Sequence, residues 1–283
     1  MPIRFLRRRP SALVAASLVA TTLARASAQS PAPYATVFYP NGSLRLEAYL
    51  YTPRGSGPFP LVIYNHGSRA GSERTEQPFV FIGRLLTGAG YAVLVPERRG
   101  YGKSEGQPFS EEIGKDKGAK FIARQQAEAD DVIAALDYAK TVASLDTTHA
   151  AVVGWSFGGI VTVFAAGKAS RFVAVVDQAG GSLSWKGSPA LQQALPAAAA
   201  GITVPMLCLV AENDATTAAV TGVYDAARSH GRPATLVVYP AFTPPRNPGN
   251  TPPGHLIFGA QGVSIWQKDV LSFLARYLTR SRP

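Results

Sequence analysis

The chain has 283 residues, 46 % of them hydrophobic, with 28 basic against 18 acidic side chains and one cysteine, Cys208. A single cysteine excludes an intrachain disulfide, and the lack of a dense Lys/Arg stripe interleaved with aromatics argues against a nucleic-acid partner. No Cys/His cluster has metal-ligand spacing and no phosphate-binding glycine pattern follows a strand, so neither a metal nor a cofactor is expected.

The first 28 residues read as a signal peptide: a basic start with Arg7-Arg8-Arg9, a weakly apolar run over 11–23, and Ala26-Ser27-Ala28. The run falls short of the roughly 20 residues that cross a bilayer, so no stable membrane insertion of the mature chain is expected. The arginine triplet also fits a twin-arginine signal. Export to the periplasm or the extracellular space follows. Removal of 1–28 takes five arginines and no acid, leaving 23 basic and 18 acidic residues, a net charge of +5. Residues 29–283 are then one domain, a routine size for an α/β fold.

Residues 36–39 and 44–50 flank Asn41-Gly42, a hairpin pattern that predicts two antiparallel edge strands. The short apolar run 61–64 has the character of a strand buried on both faces of a parallel sheet. Helix 78–86, strand 91–95 and a long amphipathic helix over 126–142 follow, with Ala129, Val132, Ile133, Leu136 and Ala139 on one face. Strands at 150–153, 172–176, 206–210 and 235–239 alternate with helices at 160–168, 216–227 and 263–277. This alternation implies a mostly parallel, doubly wound sheet with helices on both faces, and ligands in such sheets bind beyond the carboxyl ends of the strands. Residues 178–203 interrupt the pattern and read as a small helical lid or pocket wall.

Gly154-Trp155-Ser156-Phe157-Gly158-Gly159 sits between a strand and a helix. Glycine two residues before and after the serine is what a strained strand-to-helix turn with an exposed hydroxyl requires. Ser156 is therefore the candidate nucleophile, and a serine hydroxyl needs a base, normally a histidine oriented by a carboxylate. His255, after the last strand, fits the chain order Ser, acid, His. His149 starts the Ser156 strand at the wrong end of the sheet, and His230 closes a polar helix. The acid must leave a strand between Ser156 and His255. Asp214 fits best, Asp177 is the alternative, and Glu212 is a third candidate. The backbone N–H of Phe157 and that of Ser68, in Asn65-His66-Gly67-Ser68, are candidate oxyanion donors. Trp155 and Trp185 are the candidate substrate-binding side chains, with Phe79, Phe157 and the proline-rich 243–253 loop also shaping the pocket. That loop is expected to hold His255 in place.

With these motifs, Arg98-Arg99-Gly100-Tyr101-Gly102-Lys103-Ser104-Glu105-Gly106 completes a resemblance to the α/β-hydrolase superfamily, specifically its dienelactone-hydrolase-like and secreted esterase members. It covers about residues 44–277. Dienelactone hydrolases carry a cysteine at the turn where this chain has Ser156, so the chain resembles a serine esterase on that scaffold. The resemblance implies an exported serine hydrolase that cleaves small-molecule carboxylic esters through a Ser156–His255–Asp214 triad and an acyl-enzyme. A peptidase, an acyltransferase or a non-catalytic binding protein on the same fold are the alternatives. Arg98 to Gly106 would be a structural turn, although Arg98 or Arg99 could instead clamp a substrate carboxylate.

Overall fold

Successive side chains of a strand point to opposite faces, and in this chain both sets are apolar. In the strand Phe59–Asn65, Leu61 and Ile63 face one way and Val62 and Tyr64 the other, all fully buried. Each such residue contributes roughly 1.5–3 kcal/mol through burial. A strand with that pattern is stable only between two helical layers. The computed structural model describes residues 33–247 and 249–278; the expected signal peptide, 1–28, lies outside them.

Among the described residues one sheet is formed by β1 (Ala35–Asn41), β2 (Leu44–Tyr51), β3 (Phe59–Asn65), β4 (Ala92–Glu97), β5 (Leu145–Trp155), β6 (Ala174–Gln178), β7 (Met206–Ala211) and β8 (Ala234–Tyr239), in the order β1-β2-β4-β3-β5-β6-β7-β8. The predicted β1–β2 hairpin closes at the Asn41–Leu44 pair, with Gly42 and Ser43, one residue on from the expected Asn-Gly, as its two-residue turn, and β2 runs antiparallel to β4. The remaining neighbours pair in parallel.

Helices α3 (Ala119–Ala139), α4 (Phe157–Lys168), α5 (Pro189–Ala200) and α6 (Ala218–Ser229) cover the face that carries Ile63, Val152, Val175 and Cys208. Helices α1 (Val80–Gly88) and α7 (Val263–Leu278) cover the other, through Ile82, Leu86, Trp266, Val270 and Leu274. The doubly wound fold predicted from the alternation is the fold observed. No helix among the described residues is long and apolar enough to cross a membrane.

Helix α3 starts seven residues before the predicted 126, and the short α2 (Phe109–Ile113) precedes it in a stretch to which the sequence assigned no element. The early turns of α3 bury Phe121 together with the charged and polar Arg124, Gln125 and Glu128, so the apolar period is broken there and does not register them. In the stretch 178–203, α5 opens with Ser188 accepting from the Leu191 N–H and Pro189 in the first turn, and it buries Leu191, Leu195 and Ala199 against the core.

Candidate active site

Four strand ends converge. After β5 the chain turns into α4 within one residue, Ser156, which has φ 59° and ψ −119° and donates its N–H to the Gln178 carbonyl at 2.9 Å. The flanking glycines make this turn possible. A Cβ on Gly154 would lie 2.1 Å from the Gly158 carbonyl oxygen, and one on Gly158 would lie 1.9 Å from that of Asn65. The turn thus drives α4 onto the end of β3 and leaves the Ser156 hydroxyl at the carboxyl edge of the sheet.

His255 lies in a 3₁₀ turn, Pro253–Phe258, beyond β8. Its Nε2 is 2.9 Å from Ser156 Oγ, and its Nδ1 is 2.9 and 3.1 Å from the two carboxylate oxygens of Asp214. The Asp214 carboxylate is buried, as is the imidazole. Asp214 follows β7; α6 begins only at Ala218, and the one further bond Asp214 accepts is from the Ala215 N–H at 2.6 Å. It is therefore not spent on capping that helix. The order hydroxyl, imidazole, carboxylate allows a proton to pass from Ser156 to Nε2 while the carboxylate balances the imidazolium formed.

The other candidates lie elsewhere. Asp177 is fully buried on β6 facing α4; its Oδ1 accepts from the Gly180 N–H at 2.9 Å, and burial lifts its carboxyl to about 7. Glu212 is exposed beside β8. His149 pairs with Asp146 at 2.9 Å, and His230 is exposed at the end of α6 with Nδ1 2.9 Å from the Ala226 carbonyl.

The loop after β3 reaches the same place. A Cβ on Gly67 would lie 3.2 Å from that of Ser156, and Gly67 and Ser68 line a cleft with Ser156 and His255. Two buried guanidinium groups hold this loop. Arg69 pairs with Glu97 at the end of β4, and Arg98 donates to the His66 carbonyl at 3.0 Å while paired with Glu128 at 2.7 Å. Arg99 forks onto Asp131. Both arginines of the predicted turn are thus engaged inside the protein. The alternative that either clamps a substrate carboxylate is corrected: the guanidinium of Arg98 is fully buried, and that of Arg99 is bound to Asp131. His66 is buried between Phe79 and Tyr101, with Nδ1 2.7 Å from the Gly67 carbonyl. Burial, then the nearby Arg98 and Arg69, hold it well below the usual imidazole range, so it stays neutral.

The cleft, about 140 Å³, is lined by Gly67, Ser68, Trp155, Leu183, Thr251 and Leu256 beside Ser156 and His255. Trp155 is in its wall and also donates its indole N–H to the His255 carbonyl at 3.1 Å. Trp185 does not line it. Its indole packs toward α6, where a Cβ on Gly222 would lie 3.5 Å away. Leu183, two residues earlier, occupies the cleft instead and is 47 % exposed. Its exposure is the property that a lone leucine in a loop does not reveal.

The prolyl oligopeptidase family matches residues 79–188, a stretch that includes Ser156 but neither Asp214 nor His255. Together with the strand order and the elbow, this match agrees with the fold. The chain has the α/β-hydrolase fold. It is 29 % identical over 142 residues to the quorum-quenching protein AidA of Acinetobacter baumannii, covering 50 % of this chain and 42 % of that one. It is 24 % identical over 271 residues to dipeptidyl-peptidase 5 of Porphyromonas endodontalis, covering 85 % of this chain and 36 % of that one. The chain thus spans less than half the length of either curated relative. A crystal structure from Klebsiella pneumoniae assigned as a dienelactone hydrolase superposes with a TM-score of 0.63 at 20 % identity, over 86 % of this chain and 98 % of that one. That likeness extends the α/β-hydrolase fold over nearly the whole of the neighbour.

Proposed function

We propose that this protein cleaves carboxylic esters of small molecules through an acyl-enzyme on Ser156. The observation that carries the reading is the unbroken contact chain from Ser156 Oγ through His255 to Asp214, at 2.9 Å for each link. Ser156 Oγ attacks the ester carbonyl as its proton moves to His255 Nε2. The oxyanion is received by the backbone N–H groups of Phe157, at the free N-terminus of α4, and of Ser68. Collapse breaks the bond to the alkoxy oxygen, which leaves as the alcohol with the proton from His255. Water, deprotonated by His255, then releases the acid and restores Ser156.

A peptidase is the second reading, supported by the prolyl oligopeptidase match and by the peptidase among the relatives. None of the residues lining the cleft is a carboxylate that could hold the free amino terminus of a peptide, which argues against a peptidase that reads that terminus. Fluorophosphonate labelling of the purified protein, with Ser156→Ala as control, tests the nucleophile. Turnover of p-nitrophenyl butyrate against an amino-acyl p-nitroanilide tests the substrate class. Labelling with preferential anilide turnover would replace the ester reading by the peptidase one, and no labelling would remove both.

Export is part of the proposal, supported by the basic, apolar and Ala26-Ser27-Ala28 segments. Expression of the full chain, followed by fractionation and N-terminal sequencing, checks it: a cytoplasmic protein that retains residues 1–28 would overturn it.

A further inference from the structure

The position of His255 decides where each half of an ester lies. Its Nε2 must deliver a proton to the leaving oxygen, so the alcohol half occupies the cleft bounded by Thr251, His255 and Leu256. The acyl half is then turned the opposite way, over Phe157. A second cavity of about 140 Å³ opens there, with Phe157 in its wall, and Leu183 lines both cavities.

The wall of this second cavity changes character. Ile113, Phe121, Phe157 and Leu183 make it apolar, whereas Lys115 and Lys117, between α2 and α3, bring two cations to it. A Cβ on Gly187 would lie 3.0 Å from Lys117 Nζ, so this ammonium runs along the 184–188 wall. Among the described residues neither lysine forms an ion pair. The acid between them, Asp116, is turned to the backbone: its Oδ1 accepts from the N–H groups of Gly118 and Phe121 at 2.8 and 3.2 Å. Two ammonium groups thus stand against one carboxylate in this wall, and the cavity carries a net positive charge beside its apolar part.

We infer that this cavity is the acyl pocket and that it selects acyl groups ending in an anion: the substrates are monoesters of dicarboxylic acids, with the free carboxylate at Lys115 and Lys117. The inference rests on the ester-hydrolase reading and names the substrate class of that same site. In the acylation step the bond from Ser156 Oγ to the ester carbonyl forms and the bond to the alkoxy oxygen breaks. The distal carboxylate takes no part in the chemistry and stays ionised throughout.

The test compares kcat/KM for monomethyl esters of succinate, adipate and suberate with that for methyl esters of monocarboxylic acids of matching length, followed by base titration at constant pH. The wild-type protein will favour the acid ester at one or more of these lengths. In Lys115→Ala/Lys117→Ala the ratio of acid-ester to neutral-ester kcat/KM will fall about 10-fold, equivalent to about 1.4 kcal/mol. The preference will also shrink as salt rises from 0.01 to 0.5 M, since exposed charges are screened over about 10 Å at 0.1 M. Lys186→Ala, in the same 184–188 segment but not lining the cavity, will leave the ratio unchanged. A wild-type protein that hydrolyses p-nitrophenyl butyrate yet prefers the neutral ester at every length would overturn the inference alone. So would a preference that survives the double substitution. Failure to hydrolyse any ester, p-nitrophenyl butyrate included, would remove the ester reading and this inference with it.

Discussion

The indole N–H of Trp155 donates to the main-chain carbonyl of His255 at 3.1 Å, and the two rings lie 5.6 Å apart. The residue directly before Ser156, the proposed nucleophile, therefore fixes the backbone of His255, the proposed base, 100 residues along the chain. Trp155→Phe keeps a ring in the wall and removes the donor. A hydrogen bond of about 1 kcal/mol corresponds to roughly fivefold in rate. Steady-state kinetics on p-nitrophenyl butyrate will show kcat lower by about 5- to 10-fold, with KM changed much less.

The contacts of His255 and Asp214 predict the pattern of loss among the histidines and acids. His255→Ala will abolish ester turnover with the far-ultraviolet circular dichroism unchanged, while His149→Ala and His230→Ala stay near wild type. Asp214→Asn will lower kcat by about 10⁴, because the amide no longer holds the imidazole in the tautomer that accepts from Ser156. Asp177→Asn will leave kcat within a few-fold. An inactive Asp177→Asn beside an active Asp214→Asn would move the carboxylate to β6.

Asp177 has a separate consequence for stability. Burial raises its folded-state pKa from the usual carboxylate value to about 7, so the folded protein holds this proton more tightly than the unfolded chain. The stabilisation is complete below about pH 4 and is lost as pH rises through 7. Asn at this position keeps an oxygen for the Gly180 N–H and cannot ionise. Urea denaturation will show Asp177→Asn gaining stability over wild type between pH 4 and 7, by about 3 or 4 kcal/mol at the most, with a plateau above. A difference independent of pH would mean that the carboxyl does not titrate in this range.

The loop that carries His255 is tied at both ends to one side chain and its backbone. Asn213 accepts from the Phe242 N–H and donates to the Phe242 carbonyl, both at 2.9 Å, and its carbonyl accepts from the Gly254 N–H at 3.3 Å. Asn213→Ala removes the side-chain clasp next to Asp214. It will lower kcat about 10- to 100-fold with little change in KM, as displacement of a base by about 1 Å can cost 100-fold. Pro252→Ala/Pro253→Ala, which loosens the backbone but leaves the clasp, will cost less.

The fold was legible in the sequence because its strands are short apolar runs and most helices show one apolar face. The Ser156 turn was legible for a different reason: a strained backbone between two close approaches admits few residues, and glycine marks them. His255 and Asp214 followed from chain order and strand ends. Trp185 was misplaced because its size suggested a pocket wall, whereas the local 3₁₀ turn aims the indole at α6. The pairing of Arg69 with Glu97 and of Arg98 with Glu128 was hidden as well. Charged residues in loops and at helix starts look solvated until the fold brings their partners, 28 and 30 residues away, into the same buried space.

The Ser156 hydroxyl and the His255 imidazole proposed to activate it are separated by 99 residues, with two strands, β7 and β8, still to be added after α5. A polypeptide made from its N-terminus therefore carries a bare serine for much of its synthesis and gains a proton acceptor only when the segment past β8 docks. On the proposed mechanism, hydrolytic competence is a late event in the life of the molecule. Fragments cut anywhere between residues 169 and 254 and then separated will be inert individually, since Ser156 and His255 end on different pieces.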